Sequence, residues 1–113
     1  MARLLPRLLL VALPLVGMGS AWARDPARIF RARCAACHGE DGRGQTEIGQ
    51  REKAPDLTSE RFQAERSDEA IKLVITKGKP GTKMSGYGET LSPEEIDGLV
   101  KGIRGLKGGG AAR

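Results

Sequence analysis

Residues 34–38, Cys-Ala-Ala-Cys-His, hold the side chains of this sequence best suited to metal chemistry. Cys34, Cys37 and His38 stand at positions i, i+3 and i+4, which share one face of a helical turn. Two thiols and an imidazole in that arrangement can bond to the two vinyl groups of a haem and ligate its iron. A Cys-x-x-Cys-His run is typical of covalent c-type haem attachment. The motif therefore predicts one haem c attached through Cys34 and Cys37, with His38 as an iron ligand.

Three other uses of this motif each lack a part. A structural zinc site needs four ligands in tetrahedral geometry, and the two cysteines and one histidine of the chain supply at most three. A thioredoxin-like dithiol pair sits beside a βαβ pattern, whereas the segment before Cys34 is predicted to be helical. A plain disulfide between the two cysteines would leave His38 without a role. Zinc, dithiol and disulfide are the alternatives to haem.

A haem iron bound by His38 has a second axial position, and the sequence offers one ligand for it. His38 is the only histidine, so a second histidine from the same chain is excluded. Of the three methionines, Met1 and Met18 lie in a predicted leader, which leaves Met84. A lone methionine is more often a filler of apolar core space, but Met84 lies in the glycine-rich, polar segment 78–90. We therefore predict that the Met84 thioether is the second ligand.

The first 23 residues have the features of a secretory signal peptide. Arg3 and Arg7 precede a short apolar stretch, residues 8–16, and residues 21–23 (Ala-Trp-Ala) form a small-x-small cleavage site. The apolar stretch is shorter than the roughly 20 residues of a membrane-spanning helix. We expect cleavage after Ala23, export to the periplasm and no stable membrane insertion afterwards. An uncleaved N-terminal anchor is the alternative.

Residues 24–107 are predicted to form one domain, and the Gly-rich residues 108–113 a disordered tail. Cleavage after Ala23 would leave 90 residues with two Phe and one Tyr. A chain this short buries a small fraction of its surface and is marginally stable alone. Haem would supply a large apolar body for the polypeptide to wrap around.

Helix-start signals predict four helices. Asp25 followed by proline, Ser59, Ser67 and Ser92 are N-cap residues, and Ser92-Pro-Glu-Glu matches the capping-box pattern. Residues 39–55 contain four glycines and are predicted to be a loop. No segment has the pattern of a β-strand. The predicted fold class is all-α, with three to four helices and long loops wrapped around one covalent haem.

In the order of these features the chain resembles the small soluble class I cytochromes c, which carry one haem. The resemblance rests on Phe30 in the helix leading to the motif, on residues 54–57 (Ala-Pro-Asp-Leu) and on residues 80–84 (Pro-Gly-Thr-Lys-Met). It covers essentially the whole mature chain. The fold it implies is the cytochrome c fold.

The resemblance also implies roles for individual residues. The Pro55 carbonyl would accept a hydrogen bond from Nδ1–H of His38, which orients the ring and raises its basicity. Leu57 would pack on the haem, and Thr82 would donate to a haem propionate. Pocket-lining positions would be Ile71, Val74 and Ile75.

The last helix departs from the family pattern. The family usually packs its first and last helices through a small residue on one and an aromatic on the other. This last helix has no aromatic, and Gly102 lies near the aromatic's place. Gly98 and Gly102 either admit a neighbouring helix closely or are simply tolerated. The departure concerns the helix crossing and not the cofactor.

With His38 and Met84 on both axial positions, no coordination site is left for a substrate. His/Met ligation is found in electron-carrying cytochromes c. The sequence therefore predicts a periplasmic one-electron carrier that is not an enzyme. One alternative is a haem subunit bound tightly to a periplasmic dehydrogenase or oxidase. The other is a ligand-binding or peroxidatic haem protein, if Met84 is displaced.

The charge pattern suggests a class of partner. The 19 Lys and Arg, less Arg3 and Arg7, leave 17 against 14 Asp and Glu, a net charge of +3. Four lysines precede Met84: Lys72, Lys77, Lys79 and Lys83. They would steer an acidic docking face of a redox protein, or they are an ordinary solvated face. We expect a monomer that does not bind nucleic acid, because interleaved aromatic residues are lacking.

Overall fold

The computed structural model describes residues 2, 9–14 and 22–109, which include the whole predicted domain. Most of the predicted signal peptide, with Arg3 and Arg7, lies outside the described residues, as do residues 110–113 of the predicted tail. No helix in the described part is long and apolar enough to cross a membrane. The domain boundaries and the cleavage site stay predictions.

Helices make up the regular structure of the described residues, which contain no strand. In chain order they are α1 (Pro26–Arg33), α2 (Ala35–His38), α3 (Glu47–Arg51), α4 (Glu60–Glu65), α5 (Asp68–Lys77) and α6 (Pro93–Arg104), followed by a short 3-10 turn at Lys107–Gly109. The all-α prediction is confirmed. The helix count in this part of the chain exceeds the predicted three to four because α2 and α3 are short additional helices.

Each predicted N-cap residue caps a helix. The side chains of Asp25, Ser59, Ser67 and Ser92 accept hydrogen bonds from backbone N–H groups in the first turns of α1, α4, α5 and α6. At α6 the capping box is complete: Ser92 Oγ accepts from the Glu95 N–H at 3.1 Å, and Glu95 Oε1 accepts from the Ser92 N–H at 3.0 Å. Local sequence therefore determines where these four helices begin.

The prediction of a loop over residues 39–55 is wrong at α3. Thr46 caps this helix, since its Oγ1 accepts from the Gly49 N–H at 2.9 Å. Glu47 in the first turn and Arg51 in the last complement the helix dipole. Gly49 masks these signals because glycine lowers helix propensity by about 1 kcal/mol.

Two residues of the predicted tail, Gly108 and Gly109, lie within the described part of the chain. Gly108 and Gly109 lie in the 3-10 turn, where the Gly108 N–H donates to the Thr58 carbonyl oxygen at 3.1 Å. Leu106, just before this turn, is fully buried. The end of the described chain is therefore packed against the segment that follows Leu57.

Helices α1, α5 and α6 pack around one apolar core. Its buried members are Ile29, Phe30, Leu57, Ile71, Ile75, Leu91, Ile96, Leu99, Val100, Ile103 and Leu106. At the α1–α6 crossing a Cβ on Gly98 would lie 2.7 Å from the Pro26 ring, whereas a Cβ on Gly102 would meet no atom within 4 Å. Gly98 thus admits α1 closely, and Gly102 is merely tolerated. The crossing is therefore formed by the Pro26 ring of α1 and Gly98 of α6.

Candidate functional site

A cleft bordered by α1, α2, α5 and the loops around them contains about 1240 Å³ of empty space, part of it open to solvent. All seven residues predicted to bind haem line it: Cys34, Cys37, His38, Pro55, Leu57, Thr82 and Met84. The three predicted wall residues, Ile71, Val74 and Ile75, line it as well. The fold therefore brings together residues that lie up to 50 positions apart, and the role of each one stays a prediction.

The Cys-x-x-Cys-His segment continues the helical path of α1. The Cys34 N–H donates to the Phe30 carbonyl at 2.8 Å, and the His38 N–H donates to the Cys34 carbonyl at 2.9 Å. Cys34 and Cys37 are half-buried free thiols. Burial chiefly raises the pKa of Cys34 to about 11, which is opposite to the lowered pKa of a reactive redox dithiol.

Alternatives to haem gain no support from this geometry. Among the described residues no group of three or more His, Cys, Asp or Glu side chains is arranged to hold a metal ion, so a zinc ion would lack a fourth ligand near Cys34, Cys37 and His38. The thioredoxin-like alternative needs strands beside the motif, and residues 22–109 contain none. The site instead offers two thiols, one imidazole and one thioether around an apolar cleft.

His38 has the surroundings of a metal ligand with an outer hydrogen-bond partner. Its Nδ1 is buried without a hydrogen bond of normal geometry. Burial lowers the pKa of His38, and the nearby backbone carbonyl of Pro55 opposes that effect. The Pro55 carbonyl is thus a neighbour of the His38 ring and the candidate acceptor for Nδ1–H. A neutral imidazole is the form that ligates a metal, and a carbonyl at its other nitrogen orients it.

Helix α3, which the sequence did not predict, connects the motif to the Pro55 loop. Thr46 Oγ1 lies 2.8 Å from the Ala36 carbonyl oxygen and 2.9 Å from that of Cys37. At the other end of α3 the Ala54 N–H donates to the Gly49 carbonyl at 2.8 Å. The position of Pro55 relative to His38 therefore depends on how α3 sits on the motif. Thr46 followed by Glu47 is the sequence signal that could have indicated this helix.

Met84 is half-buried at the cleft, at the end of a loop that folds back on itself. The Thr82 hydroxyl donates to the Lys79 carbonyl at 2.8 Å and accepts from the Met84 N–H at 3.2 Å. The Lys79 N–H donates to the Met84 carbonyl at 3.1 Å. Gly78 has φ 74°, and a Cβ there would lie 2.6 Å from the Met84 carbonyl oxygen. Thr82 therefore braces the Met84 loop, and its predicted bond to a propionate would take the hydrogen now given to Lys79.

Tyr87 is a cleft residue that the sequence did not indicate. Its hydroxyl donates to the Arg33 carbonyl at 3.2 Å, and its N–H donates to the Ile75 carbonyl at 2.8 Å. Burial chiefly raises the pKa of Tyr87, which keeps its hydroxyl protonated as a donor. The residue ties the segment after Met84 to the end of α1. The sequence signal that could have placed Tyr87 at the cleft is its position three residues after Met84.

The predicted lysine cluster divides in two. Lys79 and Lys83 line the cleft, but Lys72 and Lys77 do not. Lys72 Nζ instead forms an ion pair with Asp97 Oδ1 at 2.7 Å, which joins α5 to α6. The basic side chains of the cleft lining are Arg33, Lys53, Arg66, Lys79 and Lys83, and the acidic one is Glu52. This basic rim comes from four separate segments, so the linear sequence could not show it.

Comparison with known proteins agrees with this site. Residues 21–101 match the family described as cytochrome c oxidase, cbb3-type, subunit III. The cbb3-type cytochrome c oxidase subunit FixP of Azorhizobium caulinodans is 37% identical over 87 residues, which are 77% of this chain and 28% of FixP. Subunit CcoP of Cereibacter sphaeroides is 31% identical over 90 residues, 80% of this chain and 29% of CcoP. The chain thus spans less than a third of the length of these curated relatives.

Among solved structures, the KustC0563 c-type cytochrome superposes with a TM-score of 0.69 at 36% identity, over 74% of this chain and 99% of that one. The predicted resemblance to c-type cytochromes is confirmed, and the family implies a covalent haem c at the Cys-x-x-Cys-His motif. The family match covers most of the chain, and the motif and the superposed structure agree with it. The chain therefore belongs to the cbb3-type cytochrome c oxidase subunit III family of c-type cytochrome domains.

Proposed function

We propose that this domain transfers single electrons as a haem-bearing part of an oxidase of the cbb3 type. The observation that carries the proposal is the gathering of Cys34, Cys37, His38 and Met84 in one cleft. Relatives that match across most of this chain are named as subunits of cbb3-type cytochrome c oxidases. The sequence-based alternative of an oxidase subunit is therefore preferred over a freely diffusing carrier.

The residues of the cleft would divide the work of electron transfer. Haem, when bound, accepts and releases one electron as its iron changes between the ferric and ferrous states. Cys34 and Cys37 would hold it covalently, and neutral His38 and the Met84 thioether would be its iron ligands. A thioether ligand and an apolar, water-poor lining both favour a raised reduction potential. The buried walls formed by Phe30 and Leu57 exclude water on the protein side.

The charge of the basic rim would favour docking partners with an acidic surface. Five cationic side chains and one carboxylate are among the residues that line the cleft. A potential of one sign at a docking face speeds encounter with a partner of the opposite sign. The proposed partner surface is therefore an acidic face of another redox protein, either within the oxidase assembly or delivering electrons to it.

Export to the periplasm, with signal cleavage after Ala23, belongs to the same proposal. The Arg3 and Arg7 start and the Ala-Trp-Ala site support it. A c-type haem protein working outside the cytoplasm would meet both membrane oxidases and other exported redox proteins.

A diffusing carrier is the second candidate, and one observation favours it. The match to KustC0563 covers 99% of that chain, so a domain of this size is a complete chain there. A ligand-binding or peroxidatic role would require that Met84 leave its position in the braced loop.

Fractionation of the source organism separates these candidates. Detergent-solubilised membranes and the soluble extract are run by gel filtration, and this chain is followed by antibody and haem stain. We expect it to co-elute with cbb3-type oxidase and to be oxidised with the oxidase's sensitivity to inhibitors. Elution at monomer size from the soluble extract would support the diffusing carrier instead. A chain without covalent haem in both fractions would overturn the electron-transfer proposal.

A further inference from the structure

Glu95 is a buried carboxylate at the start of α6 that receives four donors. Its side chain is 7% exposed. Oε2 accepts from the Arg24 backbone N–H at 3.0 Å and from Arg24 Nε at 2.7 Å. Oε1 accepts from the Ser92 N–H at 3.0 Å and from Arg24 Nη2 at 3.2 Å. Together these donors, led by the Arg24 side chain, lower the pKa of Glu95 to about 2.

One of these donors is the nitrogen atom that would become the N-terminus of the mature chain. Cleavage after Ala23 breaks the Ala23–Arg24 peptide bond with water: the hydroxyl joins the Ala23 carbonyl carbon, and a hydrogen joins the Arg24 nitrogen. Because an α-amino group has a pKa of about 7.7–8.0, that nitrogen takes one further proton at neutral pH. A neutral amide donor 3.0 Å from Glu95 would become an ammonium cation.

We propose that Glu95 is a built receptor for the α-ammonium group of Arg24, so that removal of the leader strengthens the attachment of α1 to α6. Arg24 directly precedes Asp25, which caps α1, and Pro26, whose ring packs against Gly98 of α6. An attraction at Arg24 is therefore transmitted directly to the α1–α6 crossing. The inference rests on the proposed cleavage after Ala23 and not on the proposed electron-transfer role.

The charged groups around the new terminus are few among the described residues. Glu95 Oε2 accepts from this nitrogen and also from Arg24 Nε, so the guanidinium is a like charge that opposes the ammonium. The Asp25 side chain is directed to the Ala27 N–H. Glu94 is exposed on α6, and Asp97 pairs with Lys72. A buried carboxylate within hydrogen-bond distance raises the pKa of an ammonium group above its unfolded value. The added stability is therefore fully present below about pH 7.7 and is lost as pH rises through the raised folded pKa.

The test compares two haem-loaded chains exported behind a foreign leader, one beginning at Arg24 and the other at Trp22. Thermal unfolding is followed at pH 6.5 and at pH 10.5. We expect the chain beginning at Arg24 to unfold at a higher temperature at pH 6.5, with the difference shrinking at pH 10.5. Glu95→Gln should remove the difference, whereas Arg24→Gln, which keeps the α-ammonium, should retain it. Equal unfolding temperatures at pH 6.5, or a difference that survives in E95Q, would overturn the proposal.

Two further measurements keep the test decisive if E95Q does not fold. The α-amino pKa of the parent, followed by competitive acetylation, should lie above 8.0, because unfolded chains titrate at about 7.7–8.0; a value inside or below that range overturns the proposal. Intact mass of the naturally exported protein should show a chain beginning at Arg24. Any other first residue also overturns it, and neither result bears on whether the haem transfers electrons.

Discussion

Gly49 is the point at which α3 lies against the Cys-x-x-Cys-His segment, and its replacement by alanine tests whether that contact is rigid. An added Cβ would overlap the Cys37 carbonyl oxygen and lie 2.7 Å from the Gly44 carbonyl oxygen. Ordinary contact begins at 3.4 Å, so relief at the Gly44 oxygen alone requires a shift of about 0.7 Å. Both obstacles are backbone atoms that cannot rotate away. Gly49→Ala must therefore move α3 off the motif.

Two opposing effects determine the size of the loss. Alanine is favoured over glycine inside a helix by about 1 kcal/mol, and overpacking a tight contact costs roughly 1–3 kcal/mol or more. Because the obstacles are backbone, we expect the upper part of that range and a net loss of about 2 kcal/mol in the free energy of unfolding. The Ala54 N–H is bonded to Gly49, so Pro55 should move as well. If the Pro55 carbonyl then accepts a weaker hydrogen bond from His38, the imidazole donates less electron density to the iron. The reduction potential should therefore rise.

Urea unfolding of the haem-loaded protein measures the first effect, and potentiometry the second. Gly102→Ala is the matched control, because a Cβ there would meet no atom within 4 Å. We expect it to gain up to about 1 kcal/mol and to leave the potential unchanged. If Gly49→Ala unfolds at the same urea concentration as the parent with an unaltered potential, the contact between α3 and the motif does not hold the Pro55 loop.

Three further predictions concern other parts of the site. Met84→Ala should keep the covalent haem, lose the absorption band of iron–methionine bonding and lower the potential; a spectrum and potential equal to the parent's would mean that another group is the second ligand. Lys79→Gln and Lys83→Gln should each slow electron transfer to an acidic partner at low salt, with the difference vanishing as the Debye length falls from about 10 Å at 0.1 M to about 3 Å at 1 M, while exposed Lys101→Gln should have no effect. Thr46→Val should lose about 1 kcal/mol in urea unfolding because the N-cap hydroxyl is gone, and Thr46→Ser should restore it; equal stability of all three would show that the hydroxyl contributes nothing.

The sequence predicted four helix starts from local signals. Ser59, Ser67 and Ser92 cap helices because an N-cap hydroxyl satisfies N–H groups only two or three residues away. Helix α3 was missed because Gly49 reads as a helix breaker. Position 49 is glycine because a Cβ there would overlap the carbonyl oxygen of Cys37, twelve residues earlier. No local sequence pattern reveals that contact.

The residues of the candidate site likewise fall into two groups, those that local sequence indicates and those that only tertiary folding brings together. The Cys-x-x-Cys-His spacing and the lone Met84 are local signals, so Cys34, Cys37, His38 and Met84 could be predicted as haem-binding residues, and all four line one cleft. The basic rim could not, because Lys53 and Arg66 reach it only through tertiary folding. Nor did the sequence show that Asp97 would engage Lys72.

Side-chain bonds to backbone carbonyls hold the loops around the cleft. Thr46 lies on the carbonyls of the motif, Thr82 on that of Lys79 and Tyr87 on that of Arg33. Gln63 Nε2 donates to the Leu57 carbonyl at 2.7 Å and to that of Ile103 at 2.9 Å. These four side chains form six bonds to backbone carbonyls, and no residue takes part in the bonds of more than one of them. Loss of one side chain should therefore loosen only the segment that it holds, and the stability losses of substitutions at the four positions should add.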